Sequence, residues 1–240
     1  MRLCDLHTHV LPGVDDGAST MEHALQMLRN AAASDVELLA VTPHCNRHYE
    51  KHSCLDGNLV DRFLQLQQAA KDIPVRLVLG AEVMADELLP QLLRQKKIPT
   101  INGSRYLLTE FPVDASPDYF QDMLQSILAL GYIPLIAHPE RYFSVCQRPQ
   151  IVAPWLDMGC HLQLTGGSIM GEYGKTVQRT ATYLLQQDFV ACVASDAHGL
   201  RHRSNFLMNV YDHLSLRYSK QYAACLMYET PKGICCDNDL

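Results

Sequence analysis

The chain has 240 residues, of which 48% are hydrophobic and 19% charged, enough apolar material for a sizeable core and too much for a disordered segment. Its net charge is −6 with no long basic run, which argues against nucleic acid as a partner. No apolar run approaches membrane-spanning length and no basic-then-apolar leader opens the sequence, so the expectation is a cytoplasmic protein without membrane insertion. The 9 cysteines are scattered with no Cys-x-x-Cys pair, which excludes a zinc ribbon and suggests free thiols in a reducing compartment. The Cys-x5-Arg pattern of thiolate phosphatases is absent as well.

Taken in order, short β-like runs alternate with helical segments, the signal for βα units around a parallel sheet. Strands are expected near 2–6, 38–42, 75–80, 105–109, 132–137, 161–165 and 190–195. Helices are expected near 20–33, 56–71, 85–95, 117–129, 149–157 and 174–187, followed by two more near 203–217 and 219–228. Caps support several of these starts: Ser19-Thr20, Asp56, and Ser116 followed by Pro117. Seven such units without repeats or linkers suggest one α/β domain over 1–240, close in length to a (β/α) barrel. A doubly wound open sheet is the competing architecture.

In both architectures functional residues gather beyond the C-terminal strand ends, and here six of the seven expected strands deliver a His, Asp or Glu there. His7 and His9 follow the first strand, with Asp15 and Asp16 in a Gly-Val-Asp-Asp-Gly loop. His44 follows the second strand, Glu82 the third, Glu110 the fourth, His138 the fifth, and Asp196 with His198 the seventh. Singly, each is more readily a cap or a satisfied histidine. Together at one mouth, so many imidazoles and carboxylates are costly without cations, and their number exceeds what one ion can coordinate. A ligand set of nitrogen and oxygen without thiolate suits manganese, iron or zinc. Arg141 and Arg203 follow His138 and His198 closely and offer planar forks for phosphate oxygens. After the sixth strand, Thr165-Gly166-Gly167-Ser168 is either a plain loop or a source of backbone N–H groups for an anion. His48 and His52 lie in a polar loop near the same mouth and are candidates for substrate contact, whereas His23, His161 and His213 are read as surface or core residues.

These motifs, Asp5-x-His-x-His9 with Asp16, Thr-Pro-His44, Gly-Ala-Glu82, Glu110-Phe-Pro, His138-Pro-Glu-Arg141 and Ser-Asp196-Ala-His198, resemble the PHP (polymerase and histidinol phosphatase) superfamily. More narrowly, the chain is similar to bacterial CpsB/CapC/YwqE-type protein tyrosine phosphatases, over residues 3 to about 210 and including Leu164-Thr-Gly-Gly-Ser168 and Gly171-x-x-Gly174. The resemblance implies a distorted TIM-like (β/α)7 barrel with three divalent ions, commonly Mn2+, with iron or zinc as alternatives. On this chain it implies one ion held by His7, His9, Glu82 and Asp196, a second by Glu82, Glu110 and His138, and a third by Asp16, His44 and His198. Arg141 and Arg203 match positions implied to bind phosphate as substrate-binding and catalytic residues.

The implied activity is hydrolysis of phosphotyrosine by water activated at the metals, and the implied substrate is the tyrosine-rich tail of a bacterial autokinase controlling capsule or exopolysaccharide synthesis. The alternatives are a small-molecule phosphoesterase, such as a histidinol-phosphate phosphatase, and a metal-binding regulator that docks the kinase without catalysis. The segment 220–240 matches no motif.

Overall fold

The computed structural model describes residues 2–45, 58–201, 203–204 and 206–240. The strands run β1 (Leu3–Thr8), β2 (Val36–Val41), β3 (His44–Cys45), β4 (Arg76–Leu79), β5 (Glu82–Met84), β6 (Tyr106–Glu110), β7 (Ile133–Ala137), β8 (His161–Thr165) and β9 (Cys192–Ala194). They occupy the seven expected positions. Two positions are broken: Thr42-Pro43 separates β2 from β3, and Gly80-Ala81 separates β4 from β5. Proline donates no ladder hydrogen bond, and glycine next to a strand loosens it, so a bend falls at each.

All ladders are parallel and follow the chain around a ring. One sheet is ordered β1-β2-β4 and the other β3-β5-β6-β7-β8-β9. Because β4 runs into β5, the broken third position pairs with the second from both sheets. The last position returns to the first at a lone bridge between Thr8 and Ala197, beside hydrogen bonds from Asp196 N to His7 O and His9 N to Ala197 O, both 2.9 Å. The buried carboxylate of Asp5 reinforces this seam, accepting from Ser195 N at 2.9 Å and from Ser195 Oγ at 2.6 Å. The parallel α/β architecture is therefore a TIM-like barrel with one weakly laddered seam, and the doubly wound sheet is ruled out by the strand order.

Side chains divide as a barrel requires. Leu39, Leu107, Ile136 and Leu162 face outward into the layer formed with the helices, while Leu6, Leu38, Val78, Leu108 and Leu135 fill the interior. The helices are α1 (Met21–Ala33), α2 (Leu59–Ala69), α3 (Leu89–Arg94), α4 (Pro117–Leu128), α5 (Phe143–Gln147), α6 (Ala153–Asp157), α7 (Gly166–Met170), α8 (Lys175–Gln186), α9 (Leu207–Arg217), α10 (Lys220–Ala224) and α11 (Thr230–Cys235). Thr20 and Ser116 cap α1 and α4 as expected, accepting from His23 N and Tyr119 N. Asp56 lies outside the described residues.

Three elements differ from expectation. The glycine-rich stretch after β8 is the start of the short helix α7, with Thr165 as its N-cap. The α5 helix, directly after the His138-to-Arg141 segment, has too few residues for a periodic signal. The final helical segment extends to Cys235 through a π-helical turn at Cys225–Glu229. There Ile234 and Cys235 join the interior cluster and close the barrel from below, and Tyr106 Oη donates to Asn238 O at 2.7 Å. Seven described cysteines are free, but Cys45 is disulfide-bonded, so the free-thiol expectation fails there. Among the described residues no helix is long and apolar enough to cross a membrane.

Candidate metal centre

The nine residues implied as metal ligands come together at the C-terminal mouth of the barrel. The first group centres on β1. A register shift in the β1–β2 ladder between Asp5 and Thr8 lets Leu6 face the interior while His7 and His9 both turn into the mouth. Their Nε2 atoms stand 3.1 Å apart. Glu82 Oε2 is 3.1 Å from that of His7 and 3.2 Å from that of His9, and Asp196 Oδ1 is 3.4 and 3.5 Å away. His7, His9 and Glu82 form one group whose ligand atoms converge within 4.8 Å.

The other two groups share residues with the first. His138 Nε2 lies 2.9 Å from Glu82 Oε1 and 3.8 Å from Glu110 Oε1. His44 reaches the same carboxylates through Nδ1, at 3.0 and 3.8 Å, so Glu110 has two imidazole neighbours where the sequence indicated one. Asp16 Oδ1 is 3.5 Å from His44 Nε2 and 3.3 Å from His198 Nε2, and His9 stacks on His198 with ring centroids 3.7 Å apart. Thus His9 approaches the third group too. Asp16 is the exposed member; the others are largely buried.

The hydrogen bonds behind the ring test whether cations fit. Gln163 Nε2 donates to Leu164 O at 2.6 Å, which turns Gln163 Oε1 toward His7 Nδ1 at 2.8 Å. Asp15 Oδ2 stands 2.8 Å from His9 Nδ1, and the carbonyl of Asp196 is 3.0 Å from His198 Nδ1. Each partner only accepts, so each Nδ1 carries its ring's hydrogen in the neutral tautomer. The Nε2 atoms of His7 and His9 then present lone pairs to each other and to a carboxylate oxygen, and that of His198 faces Asp16. Such an arrangement is repulsive until a proton or a cation occupies the middle, and accepting partners behind ligating imidazoles are what metal sites use. The residues therefore fit divalent ions.

Electrostatics agree. Burial pushes the imidazole of His9 toward the neutral form, but Asp15 and Glu82 outweigh it and hold its pKa well above the usual value. Burial alone would raise Glu82, yet His7 and His44 hold it well below the ordinary carboxylate range. Burial and Arg141 push His138 down to about 4. Glu82 thus stays ionised among imidazoles, the charge state in which a carboxylate can ligate a cation.

Both arginines stand at the edge of the cluster. Arg141 Nη1 reaches Asp196 Oδ2 at 2.8 Å, and Arg203 Nη2 sits 2.9 Å from both oxygens of the same carboxylate. His138, Asp196 and Arg203 have φ of 37°, 53° and 48°, left-handed backbone that non-glycine residues rarely adopt. Strain of this kind gathers where side chains must be aimed. Asp15, a candidate beside Asp16 in the sequence, stands behind the ring of His9 rather than among the converging ligand atoms, and Gln163 and Glu140 escaped the sequence reading as site residues. Glu140 is fully buried and accepts from Thr165 N at 3.0 Å, tying the segment before Arg141 to β8. A polar Gln163 within His-Leu-Gln-Leu-Thr was the available signal. His48 and His52 lie outside the described residues.

A barrel whose mouth gathers shared imidazoles and carboxylates defines a metal-dependent hydrolase-like site of the TIM-barrel kind. The chain belongs to the CpsB/CapC capsular polysaccharide synthesis family, whose model matches residues 3–235. It is 32% identical to the tyrosine-protein phosphatase CpsB of Streptococcus pneumoniae, over 98% of this chain and 99% of that one. It is 30% identical to the tyrosine-protein phosphatase YwqE of Bacillus subtilis, over 84% and 80% of the two chains. Its structure superimposes on one from a study of YwqE and CpsB, described as unique metal-dependent tyrosine phosphatases, with a TM-score of 0.89, 27% identity, and 98% and 95% coverage. The phosphotriesterase homology protein of Escherichia coli shares the fold alone, with a TM-score of 0.61, 10% identity and 98% coverage of both chains.

Proposed function

We propose that this protein is a metal-dependent protein tyrosine phosphatase, and that the whole chain works as one domain. The observation that carries the reading is the convergence of His7, His9 and Glu82 lone pairs on one point, with two arginines on the neighbouring Asp196. His7, His9, Glu82 and Asp196 would hold one ion, Glu82, Glu110 and His138 a second, and Asp16, His44 and His198 a third. The oxygen- and nitrogen-rich set suits Mn2+. Bound divalent cations supply a lowered pKa for water and neutralisation of phosphoryl charge.

The chain's own residues do the rest. Gln163, Asp15 and the carbonyl of Asp196 keep the imidazole hydrogens pointed away from the mouth. Arg141 and Arg203 bind non-bridging phosphoryl oxygens and favour the extra charge of the transition state. Phenolate is a comparatively good leaving group, so no side chain needs to protonate it.

The relatives' names support a phosphotyrosine protein as substrate, and the family description supports a place in capsule synthesis. The partner of this reading is a bacterial tyrosine kinase with a tyrosine-rich tail, met in the cytoplasm. The decisive experiment compares turnover of phosphotyrosine peptide, phosphoserine peptide and histidinol phosphate before and after EDTA. Phosphotyrosine should be preferred, EDTA should abolish turnover, and Mn2+ should restore it. Preference for histidinol phosphate would make the protein a small-molecule phosphatase, and an inert metallated protein would make it a docking module.

A further inference from the structure

Gly171-x-x-Gly174 has no part in the metal cluster, yet it carries a side chain against Arg141 at the cluster's edge. The segment between α7 and α8 turns on two glycines of positive φ, Gly171 at 88° and Gly174 at 91°, and between them lies Tyr173. Backbone hydrogen bonds pin the turn: Glu172 N donates to Gly167 O at 2.9 Å, and Gly174 N to Gly171 O at 3.1 Å. Room for the tyrosine comes from Gly167, where an added Cβ would lie 3.0 Å from Tyr173 Cε2 and 2.7 Å from Glu172 Oε2. The half-buried ring so placed lies under the guanidinium of Arg141, whose Cζ is 4.0 Å from the ring centroid.

Arg141 is thereby held in two ways. Asp196 takes Nη1, and the ring of Tyr173 covers one face. Nε and Nη2, the side-on fork of the guanidinium, are buried and make no hydrogen bond in the protein. Two parallel N–H groups left unsatisfied beside a cation site match two oxygens of one phosphoryl group. A guanidinium with a carboxylate on one end and an aromatic face beneath has lost most of its rotational freedom, so the fork is presented already oriented. The hydroxyl of Tyr173 is buried and makes no hydrogen bond in the protein, so the contact this residue makes with Arg141 is through its ring face.

We propose that Tyr173 is a positioning residue for phosphoryl recognition, and that Gly167 and the Gly171–Gly174 turn exist to bring its ring beneath Arg141. The inference rests on the phosphatase reading, although its test reads phosphate binding directly. Manganese-loaded protein is titrated with inorganic phosphate by calorimetry, with metal content measured on the same samples. Tyr173→Leu removes the π face and should weaken phosphate binding about 5- to 10-fold with metal content unchanged. Tyr173→Phe keeps the face and should stay within about twofold of the parent. Gly167→Ala, whose Cβ crowds the ring edge at 3.0 Å, should move in the same direction as Tyr173→Leu but by less. KM for a phosphotyrosine peptide should rise in step with the phosphate dissociation constant.

Unchanged phosphate affinity in Tyr173→Leu overturns the proposal. So does a Tyr173→Phe variant as weak as Tyr173→Leu, which would assign the role to the hydroxyl, or a Tyr173→Leu variant that loses metal or fold, which would make the residue structural. If the parent binds phosphate through this platform but leaves phosphotyrosine peptide intact, the phosphatase reading fails and the positioning role stands.

Discussion

At the scale of single residues, the centre is organised by groups that would not themselves touch an ion. Asp15 shows this most clearly, because one carboxylate holds His9 Nδ1 at 2.8 Å, His44 N at 3.0 Å and Gly17 N at 3.0 Å. It thus sets the ring of one candidate ligand and the backbone of another. Burial would raise its pKa, but the His9 imidazole holds it down at about 2, so it stays ionised throughout the useful pH range. Asp15→Ala should weaken Mn2+ binding by about 10–100-fold while leaving the chain folded, as measured by metal titration and circular dichroism. An Asp15→Ala protein with unchanged affinity would show that His9 is oriented by something else. From the sequence, Asp15 and Asp16 were equal candidates, since adjacent aspartates in one loop differ only in the direction the backbone gives them. Gln163 was less legible still, because an amide in a strand announces neither metal nor proton.

At the scale of elements, the site depends on how strands end. The two broken positions let β3 and β5 carry His44 and Glu82 inward at the start of a new short strand, where they are paired in register. The loop after β1 returns so closely that a Cβ at Gly17 would meet His9 O at 1.9 Å and His9 Cβ at 2.5 Å. Neither atom can yield, as one is backbone and the other belongs to a side chain fixed at its far end. Gly17→Ala should therefore displace the Asp15-Asp16 loop, cost about 1–3 kcal/mol in denaturant unfolding, and lower Mn2+ affinity as well. A fully stable, fully metallated Gly17→Ala protein would contradict the close approach. Element types and most boundaries were legible because apolar periodicity and caps such as Ser116-Pro117 act locally. The breaks at Pro43 and Gly80 were not read from the sequence, although both residues are strand breakers; the apolar runs on either side disguised them as simple ends. The helix α7 was hidden for the opposite reason, since Gly166 and Gly167 have low helix propensity and its packing decides its form.

At the scale of the molecule, the barrel has a weak seam and a plugged floor. The first and last strand positions share one bridge, so Asp5 and Ser195 supply by side chain what a full ladder would supply by backbone. Below, Ile234 is fully buried in the interior cluster, and Arg105 holds the tail through Asp237 at 3.2 Å and Asp239 at 2.7 Å. Ile234→Ala should cost about 2–4 kcal/mol of stability by urea unfolding, with Mn2+ affinity unchanged because the cluster lies at the other end of the barrel. A variant as stable as the parent would show that the floor carries little of the fold.

The sequence by itself determined the α/β alternation, the strand positions and the pool of candidates at the mouth, Asp15 and Asp16 alike, because strand periodicity and the rule of C-terminal strand ends place them without coordinates. Only the tertiary structure decided which groups share neighbours. That His44 faces Glu82 and Glu110, that Asp15 and Gln163 turn the imidazoles, and that Tyr173 lies under Arg141 all depend on side chains far apart in the chain meeting across the barrel. Periodicity within one segment carries no information about the distance between two, and the barrel's closure sets that distance.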